Sequence, residues 1–286
     1  MDHKPRIFIW GMGLIGASLG LKLKSKGYCV EGAVRSEKSR AVLKQMGFEK
    51  IYTSNEESLN ALYNADILVL GLTLSDSLSI LDLVFSSVIP QKRLIVFDTC
   101  STKRSICNFV KEKYPDAPFV GVHPMAGKET SGPGAADAEL YANATVYIVP
   151  RAQSAIHEKV EALWRDCGAV CTLIDAAEHD RLMAYMSHGL HLNACLLARM
   201  ANDVASIAPT VYPGAGSFRD MTRIASSSGA LWQEIVLSNK DNVVHWLKKL
   251  STEADVLADK LEQNTLDIPA LFHEANEARE RIMRTL

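Results

Sequence analysis

The sequence predicts an α/β chain whose N-terminal part is a doubly wound, mostly parallel sheet and whose C-terminal part is all helical. Three observations carry that expectation. Short β-rich runs alternate with amphipathic helical runs of about three or four turns, the pattern of βαβ units. A glycine-rich turn stands between the first such strand and the first helix. Beyond residue 174 helical stretches follow one another and no strand is legible.

Each element is read from its own residues. Arg6–Trp10 (RIFIW) is a strand, and Gly13–Lys26 a helix with Leu14, Leu19, Leu21 and Leu23 as its apolar positions. Val30–Val34 is a second strand, and a helix over Glu37–Met46 stops at Gly47. Ile51-Tyr52 is a short strand. The continuous apolar runs Ile67–Leu70 (ILVL) and Leu94–Phe97 (LIVF) suit central parallel strands covered on both faces. Helices are expected over Asp76–Val88, Ser101–Lys113 and Ala155–Cys167, and strands over Phe119-Val120, Thr145–Val149 and Val170–Ile174.

From Asp175 onward the expected helices are 177–207, 230–238, 241–263 and 269–284, rich in Ala, Leu, Glu, Lys and Met. The chain is therefore divided into a dinucleotide-type sheet domain, 1–174, and a helical domain, 175–286. Met183, Met186, Leu190, Leu192, Leu196, Leu197 and Met200 offer more apolar surface than one small bundle hides. That points to a homodimer through the helical domain, with an ordinary internal core as the equal alternative.

Composition excludes some functions. The 286 residues are 48% hydrophobic and 22% charged, with a formal net charge of −2, so neither nucleic acid nor an anionic membrane is expected as a partner. No apolar run approaches the ~20 residues that span a bilayer. The N-terminus runs into a strand without a signal-peptide apolar region, which predicts a cytoplasmic protein. Six scattered cysteines without C-x-x-C spacing read as reduced structural thiols, and no metal is expected.

The turn Gly11-Met12-Gly13-Leu14-Ile15-Gly16 is a G-x-G-x-x-G that follows a strand and opens a helix. The first glycine permits the tight turn, the second lets backbone approach a pyrophosphate, and the third allows close helix–strand packing. The helix N-terminus presents unpaired N–H groups to the anion. A Rossmann-type domain holding a dinucleotide follows. NAD sites usually carry an acidic residue at the tip of the second strand. Here Glu31 lies mid-strand, and the tip holds Val34, Arg35 and Ser36, with Lys38 and Arg40 in the next turn. Arg35 and Ser36 suit a 2′-phosphate, so NADP is favoured over NAD.

Further strings bear on the substrate: Asp98-Thr99-Cys100-Ser101-Thr102-Lys103 at a strand end, HPMAGKETSG over 123–132, SHGLH over 187–191, and FRDMTRIA over 218–225 followed by Trp232. Together they resemble the prephenate/arogenate dehydrogenase family of tyrosine biosynthesis. The resemblance runs from the glycine turn to about residue 239. It implies a dinucleotide-binding domain followed by a helical dimerisation domain, and an NAD(P)-dependent oxidative decarboxylation of prephenate, or alternatively of arogenate. It implies His123 as proton acceptor, Ser101 as the serine orienting it, Arg223 as the arginine on a substrate carboxylate, and His191 at the substrate's side-chain end. Glu129 matches an acidic residue near the site, and Trp232 a pocket wall or core position. From the residues alone, His123 reads as a loop histidine and Ser101 also as a helix N-cap. Leu190 replaces a common family proline in SHGLH, which implies a straighter helix there.

Overall fold

The computed structural model describes residues 4–87, 94–128, 130–150, 156–203 and 216–284. They form two compact units, Met1–Asn239 and Lys240–Leu286.

The first unit is built on one eight-stranded sheet. Its strands are β1 (Arg6–Trp10), β2 (Cys29–Ala33), β3 (Ile51–Tyr52), β4 (Ile67–Leu70), β5 (Ile95–Asp98), β6 (Phe119–Pro124), β7 (Thr145–Val149) and β8 (Val170–Leu173). They lie in the order β3-β2-β1-β4-β5-β6-β7-β8, all parallel except the β6–β7 pair. The order reverses between β1 and β4, and that switch point is where open α/β sheets bind ligands. In β1, Ile7 and Ile9 face one apolar layer with Leu19 and Leu23, while Phe8 and Trp10 face the other with Leu81 and Phe85. Burial on both faces explains why β4 is apolar throughout and β1 is apolar from Ile7 to Trp10.

The helices of this unit are α1 (Leu14–Ser25), α2 (Glu37–Gln45), α3 (Asn55–Leu62), α4 (Leu74–Ser87), α5 (Arg104–Lys113), α6 (Ile156–Asp166), α7 (Ala176–Met183), α8 (Gly189–Ala201), α9 (Gly216–Thr222) and α10 (Gly229–Ser238). After β8 every regular element among the described residues is helical. The second unit, taken by itself, comprises α11 (Lys240–Glu262) and α12 (Ile268–Met283), the latter capped by Asp267 accepting from the Ala270 N–H. No helix among the described residues is long and apolar enough to cross a membrane.

Several local expectations are corrected. Helix α3 was not expected, although Ser54-Asn55-Glu56-Glu57 is a capping-box sequence and Ser54 Oγ accepts from the Glu57 N–H. Strand β6 does not end at Val120 but continues to Pro124, because β7 offers it a full antiparallel ladder, with His123 opposite Tyr147. His123 is thus a strand residue and not a loop residue. Helix α5 starts at Arg104 rather than Ser101, so Ser101 is not its N-cap; a distant carboxylate serves that end, as described below. The expected helix 177–207 is interrupted by a π-helical turn at Ala184–His188, just before Leu190, and its part beyond residue 203 lies outside the described residues. Val88 and Ala155, expected helix ends, also lie outside them.

Candidate active site

The glycine turn sits where β1 hands over to α1, at the switch point. Gly11 has φ +96°, and a Cβ there would lie 2.4 Å from the carbonyl oxygen of Gly71. A Cβ on Gly16 would lie 2.2 Å from the Gly11 carbonyl oxygen, so only glycine lets α1 start this close to the turn. Gly13 differs: a Cβ there meets nothing within 4 Å. Gly13 is the N-cap of α1 and supplies no side-chain cap, which leaves the first N–H groups of the helix for a ligand. Met12 and Leu14 are buried beneath this opening, and Ile15 is partly buried.

A cavity of about 690 Å³ runs from Gly11 and Gly13 to the tip of β2, where Arg35, Ser36 and Ser39 line it. Its shape suits a dinucleotide: a wall of backbone at the turn, polar and cationic groups at the far end. Ser36 caps α2, its Oγ accepting from the Ser39 N–H at 3.2 Å. Arg35 is exposed and lies 3.4 Å from the carboxylate of Asp76. Glu31 is turned away from the tip and is spent on Arg6 (3.1 Å), Lys50 (3.1 Å) and the Tyr52 hydroxyl (3.0 Å). The strand tip therefore presents a guanidinium and a hydroxyl, and the nearby acid of β2 is occupied.

The second half of the site gathers around the ends of β5 and β6. Asp98 ends β5 with its carboxylate buried, accepting from the N–H groups of Cys100 (2.9 Å) and Val122 (3.1 Å) and paired with the Lys103 ammonium. Lys103 Nζ also donates to the Val122 carbonyl oxygen at 2.7 Å. Burial pulls the Lys103 ammonium down, but Asp98 beside it prevails and holds it above its ordinary value. This knot ties the loop after β5, which carries Ser101, to β6, which carries His123. Ser101 lines a smaller cavity of about 140 Å³ with Thr99, Cys100, Leu231 and Glu234. Burial together with Cys100's neighbour Asp98 pushes that thiol far up, so it stays protonated.

His123 is buried, and its Nδ1 lies 2.9 Å from Nε2 of His179 on α7. His179 Nδ1 lies 2.8 Å from Oδ1 of Asp180. Asp180 in turn accepts from the backbone N–H groups of Lys103 (2.7 Å) and Arg104 (3.0 Å), and so caps α5 from another segment of chain. Burial, then His179, Lys103 and His188, hold the His123 imidazole well below its ordinary pKa, so it is neutral near pH 7.

The helical segment adds a second histidine group. The π turn brings His188 and His191 under α10: His191 stacks on Trp232 with ring centroids 3.6 Å apart at 24°, and His188 meets the same ring edge-on at 6.0 Å. His191 Nδ1 lies 2.9 Å from the Ser187 carbonyl oxygen, and donation there leaves Nε2 as an acceptor. His188 is buried and receives a hydrogen bond from Asn239 Nδ2 at 3.0 Å. Arg223 is exposed and opens a 3₁₀ turn, Arg223–Ser226, packed against α8. Glu234 on α10 reaches back to α4, accepting from the Ser75 Oγ–H at 2.8 Å and the Ser75 N–H at 3.2 Å. Thr102 and Ser238 share a hydrogen bond at 2.9 Å. These contacts close the helical segment onto the switch point.

Comparison with known proteins matches this chain to two family descriptions: "Prephenate dehydrogenase, nucleotide-binding domain" over residues 19–173, and "Prephenate dehydrogenase, dimerization domain" over residues 175–275. The chain belongs to the prephenate dehydrogenase family. It is a nicotinamide-dependent oxidoreductase of that family. It is 30% identical over 281 residues to the prephenate dehydrogenase of Lactococcus lactis subsp. cremoris, covering 96% of this chain and 77% of that one. It is 32% identical over 267 residues to the cyclohexadienyl dehydrogenase of Zymomonas mobilis, covering 86% and 87%. The crystal structure of prephenate dehydrogenase from A. aeolicus in complex with hydroxyphenyl propionate and NAD+ shares the fold, with a TM-score of 0.86 at 23% identity over 100% of this chain and 99% of that one.

The structure brings the glycine turn, Arg35 and Ser36 into one cavity, and His191 and Trp232 into one stack. The hydrogen bond of the His123 ring is with His179 rather than with Ser101. Glu129 lies outside the described residues. Sequence reading missed His179, Asp180, Lys103 and Glu234 as site residues. The adjacent pair His179-Asp180 was a visible signal, but its partners lie dozens of positions away.

Proposed function

We propose that this chain oxidises prephenate to 4-hydroxyphenylpyruvate and carbon dioxide, with NADP as its preferred cofactor, through the residues described above. The observation that carries the reading is His123: a buried imidazole held neutral at the end of β6, able to take a proton at neutral pH. Gly11, Met12, Gly13, Leu14, Ile15 and Gly16 hold the pyrophosphate, which the open space at Gly13 and the uncapped start of α1 support. Arg35 and Ser36 face the 2′-phosphate, supported by the occupied state of Glu31.

A nicotinamide held by the glycine turn would supply the hydride acceptor for the substrate's 4-hydroxyl carbon. His123 takes the hydroxyl proton as that carbon becomes a carbonyl. The bond from the ring to its carboxylate then breaks, carbon dioxide departs, and the electron pair left behind makes the ring aromatic. The phenolate oxygen regains a proton, so no net proton is released between prephenate and its product. Ser101 orients the substrate hydroxyl, Arg223 pairs with a substrate carboxylate through its planar fork, and His191 against Trp232 faces the side chain.

The division at 174/175 into a sheet domain and a helical domain belongs to this reading, as does a homodimer through the helical part. Exposed Leu190, Leu196, Met200, Phe218 and Met221 on α8 and α9 support the latter. The free cysteines and the biosynthetic character of the relatives support a cytoplasmic location.

A second reading is favoured by the cyclohexadienyl dehydrogenase among the relatives: that this pocket also takes arogenate, which differs from prephenate in an amino in place of a keto group. A two-by-two comparison of rates, prephenate and arogenate each with NAD and NADP, tests both. Highest kcat/KM with prephenate and NADP is the expected result. No turnover in any of the four combinations overturns the proposal.

A further inference from the structure

We propose that His179 is a positioning residue for the reaction: backed by Asp180, it locks His123 in the tautomer that carries its proton on Nδ1 and aims a lone pair on Nε2 at the substrate. The inference rests on the reading of His123 as the proton acceptor. It follows from counting protons along three contacts.

Asp180 is the fixed end. Its side chain is fully buried, and its carboxylate already accepts from the Lys103 and Arg104 backbone N–H groups at the start of α5. Against the cost of burial, the bond from His179 and these two N–H groups keep its carboxyl below the usual range, so it is ionised and can only accept. His179 Nδ1, 2.8 Å from Oδ1, must therefore carry the proton. Burial keeps His179 itself below the ordinary imidazole pKa, so its other nitrogen is bare. That nitrogen, Nε2, lies 2.9 Å from His123 Nδ1, and two lone pairs cannot share such a contact. His123 Nδ1 must be the donor. The neutral His123 is left with one lone pair, on Nε2. A neutral imidazole has two tautomers, and only this one can accept a proton there.

The same contacts act when the proton arrives. The groups facing His123 are His179 on α7, Lys103 at the start of α5 and His188 on the π turn, and all three oppose a positive charge there, as does burial. The Lys103 ammonium is spent on Asp98 and the Val122 carbonyl oxygen. His179 is the one of the three that bonds His123 directly, and through it the Asp180 carboxylate reaches the new imidazolium. His179 is held in turn by the Tyr147 ring, 5.6 Å away and edge-on, from the strand paired with β6. The arrangement places an acid, an orienting imidazole and a working imidazole in a row, with the general logic of a carboxylate that sets a histidine's tautomer.

Nitrogen-15 spectra of the full chain labelled at histidine test this directly, with the His123 signals identified by their loss in His123→Asn. A protonated, pyrrole-like Nδ1 and an unprotonated Nε2 at neutral pH are expected, and the opposite pattern overturns the proposal without any variant at position 179. His179→Phe keeps a ring but no acceptor. It should lower kcat on the order of 10²-fold, with KM and cofactor Kd within about twofold of wild type and the His123 tautomers mixed. His179→Gln, whose carbonyl can still accept from Nδ1, should recover ~tenfold of that loss. Wild-type kcat in His179→Phe, or equal losses in the Phe and Gln variants, overturns the positioning role. If His123→Asn loses turnover while His179→Phe does not, the positioning role alone falls; if His123→Asn retains wild-type turnover, the proton-acceptor reading falls with it.

Discussion

The Lys103 ammonium and the Asp98 carboxylate form an ion pair in which neither side chain reaches solvent. Their remaining hydrogen bonds run to Cys100 N–H and to both backbone polar groups of Val122, one residue before His123. Two strand ends and the loop between them are thereby held in one geometry. Burying two charges is costly, and removing one partner leaves the other charge uncompensated. Lys103→Met is expected to lower unfolding free energy by about 3–5 kcal/mol, measured by denaturant titration. Pairing it with Asp98→Leu should recover part of that loss. A single variant as stable as wild type would show the pair to be dispensable.

The glycines of the turn separate packing from ligand contact. Gly11→Ala places a Cβ 2.4 Å from the Gly71 carbonyl oxygen at a φ of +96°, and should cost about 1–3 kcal/mol of stability. Gly13→Ala meets no protein atom within 4 Å, so its melting temperature should match wild type. Its cofactor Kd should nonetheless rise ~tenfold or more, because the methyl group occupies the space of the pyrophosphate. Unchanged binding in Gly13→Ala would remove the turn from the cofactor site.

Arg35→Ala tests cofactor choice. The loss of one charged hydrogen bond, ~1.5–3 kcal/mol, corresponds to a rise of roughly tenfold to hundredfold in the NADP Kd. The NAD Kd should hardly change, since Arg35 otherwise meets Asp76 across the cavity. Equal effects on both cofactors in fluorescence titrations would count against a 2′-phosphate contact.

Arg223→Ala should act on substrate binding. Steady-state kinetics are expected to show KM for prephenate raised by roughly tenfold to hundredfold, the equivalent of ~1.5–3 kcal/mol, with kcat changed far less. An unaltered KM removes Arg223 from the substrate carboxylate.

Stability should depend on pH through the buried imidazoles. Burial draws His188 down to about 4 and also lowers His123 and His179. Between those values and the ordinary ~6.5 the unfolded chain binds more protons than the folded one, so stability rises with pH there. It is fully present above ~6.5 and is lost as pH falls toward about 4. Asp180, held low, adds its loss only below the ordinary carboxylate range. Melting temperature should therefore drop from about pH 7 to about pH 5, with a shallower slope in His188→Gln. A flat profile over that window would contradict the neutral, buried state of these rings.

What the sequence determined by itself was whatever depends on near neighbours along the chain. Alternation of apolar runs and amphipathic helices specified the sheet and its flanking layers, because strand and helix periods are written in consecutive residues. The glycine spacing specified the phosphate turn for the same reason: one turn of backbone must meet itself and a neighbouring strand. The long strings around His123 and Arg223 carried the family. Tertiary structure decided the rest. The length of β6 was set by its partner β7, so the sequence of β6 alone could not show that His123 is a strand residue. The cap of α5 came from Asp180 on α7 rather than from nearby Ser101, because a buried helix start takes whatever carboxylate packs against it. That the acid of β2, Glu31, is bonded to Arg6, Lys50 and Tyr52 was likewise visible only in the folded chain. The row Asp180–His179–His123 joins positions 56 residues apart at its histidine contact, and only folding brings such groups within hydrogen-bond reach.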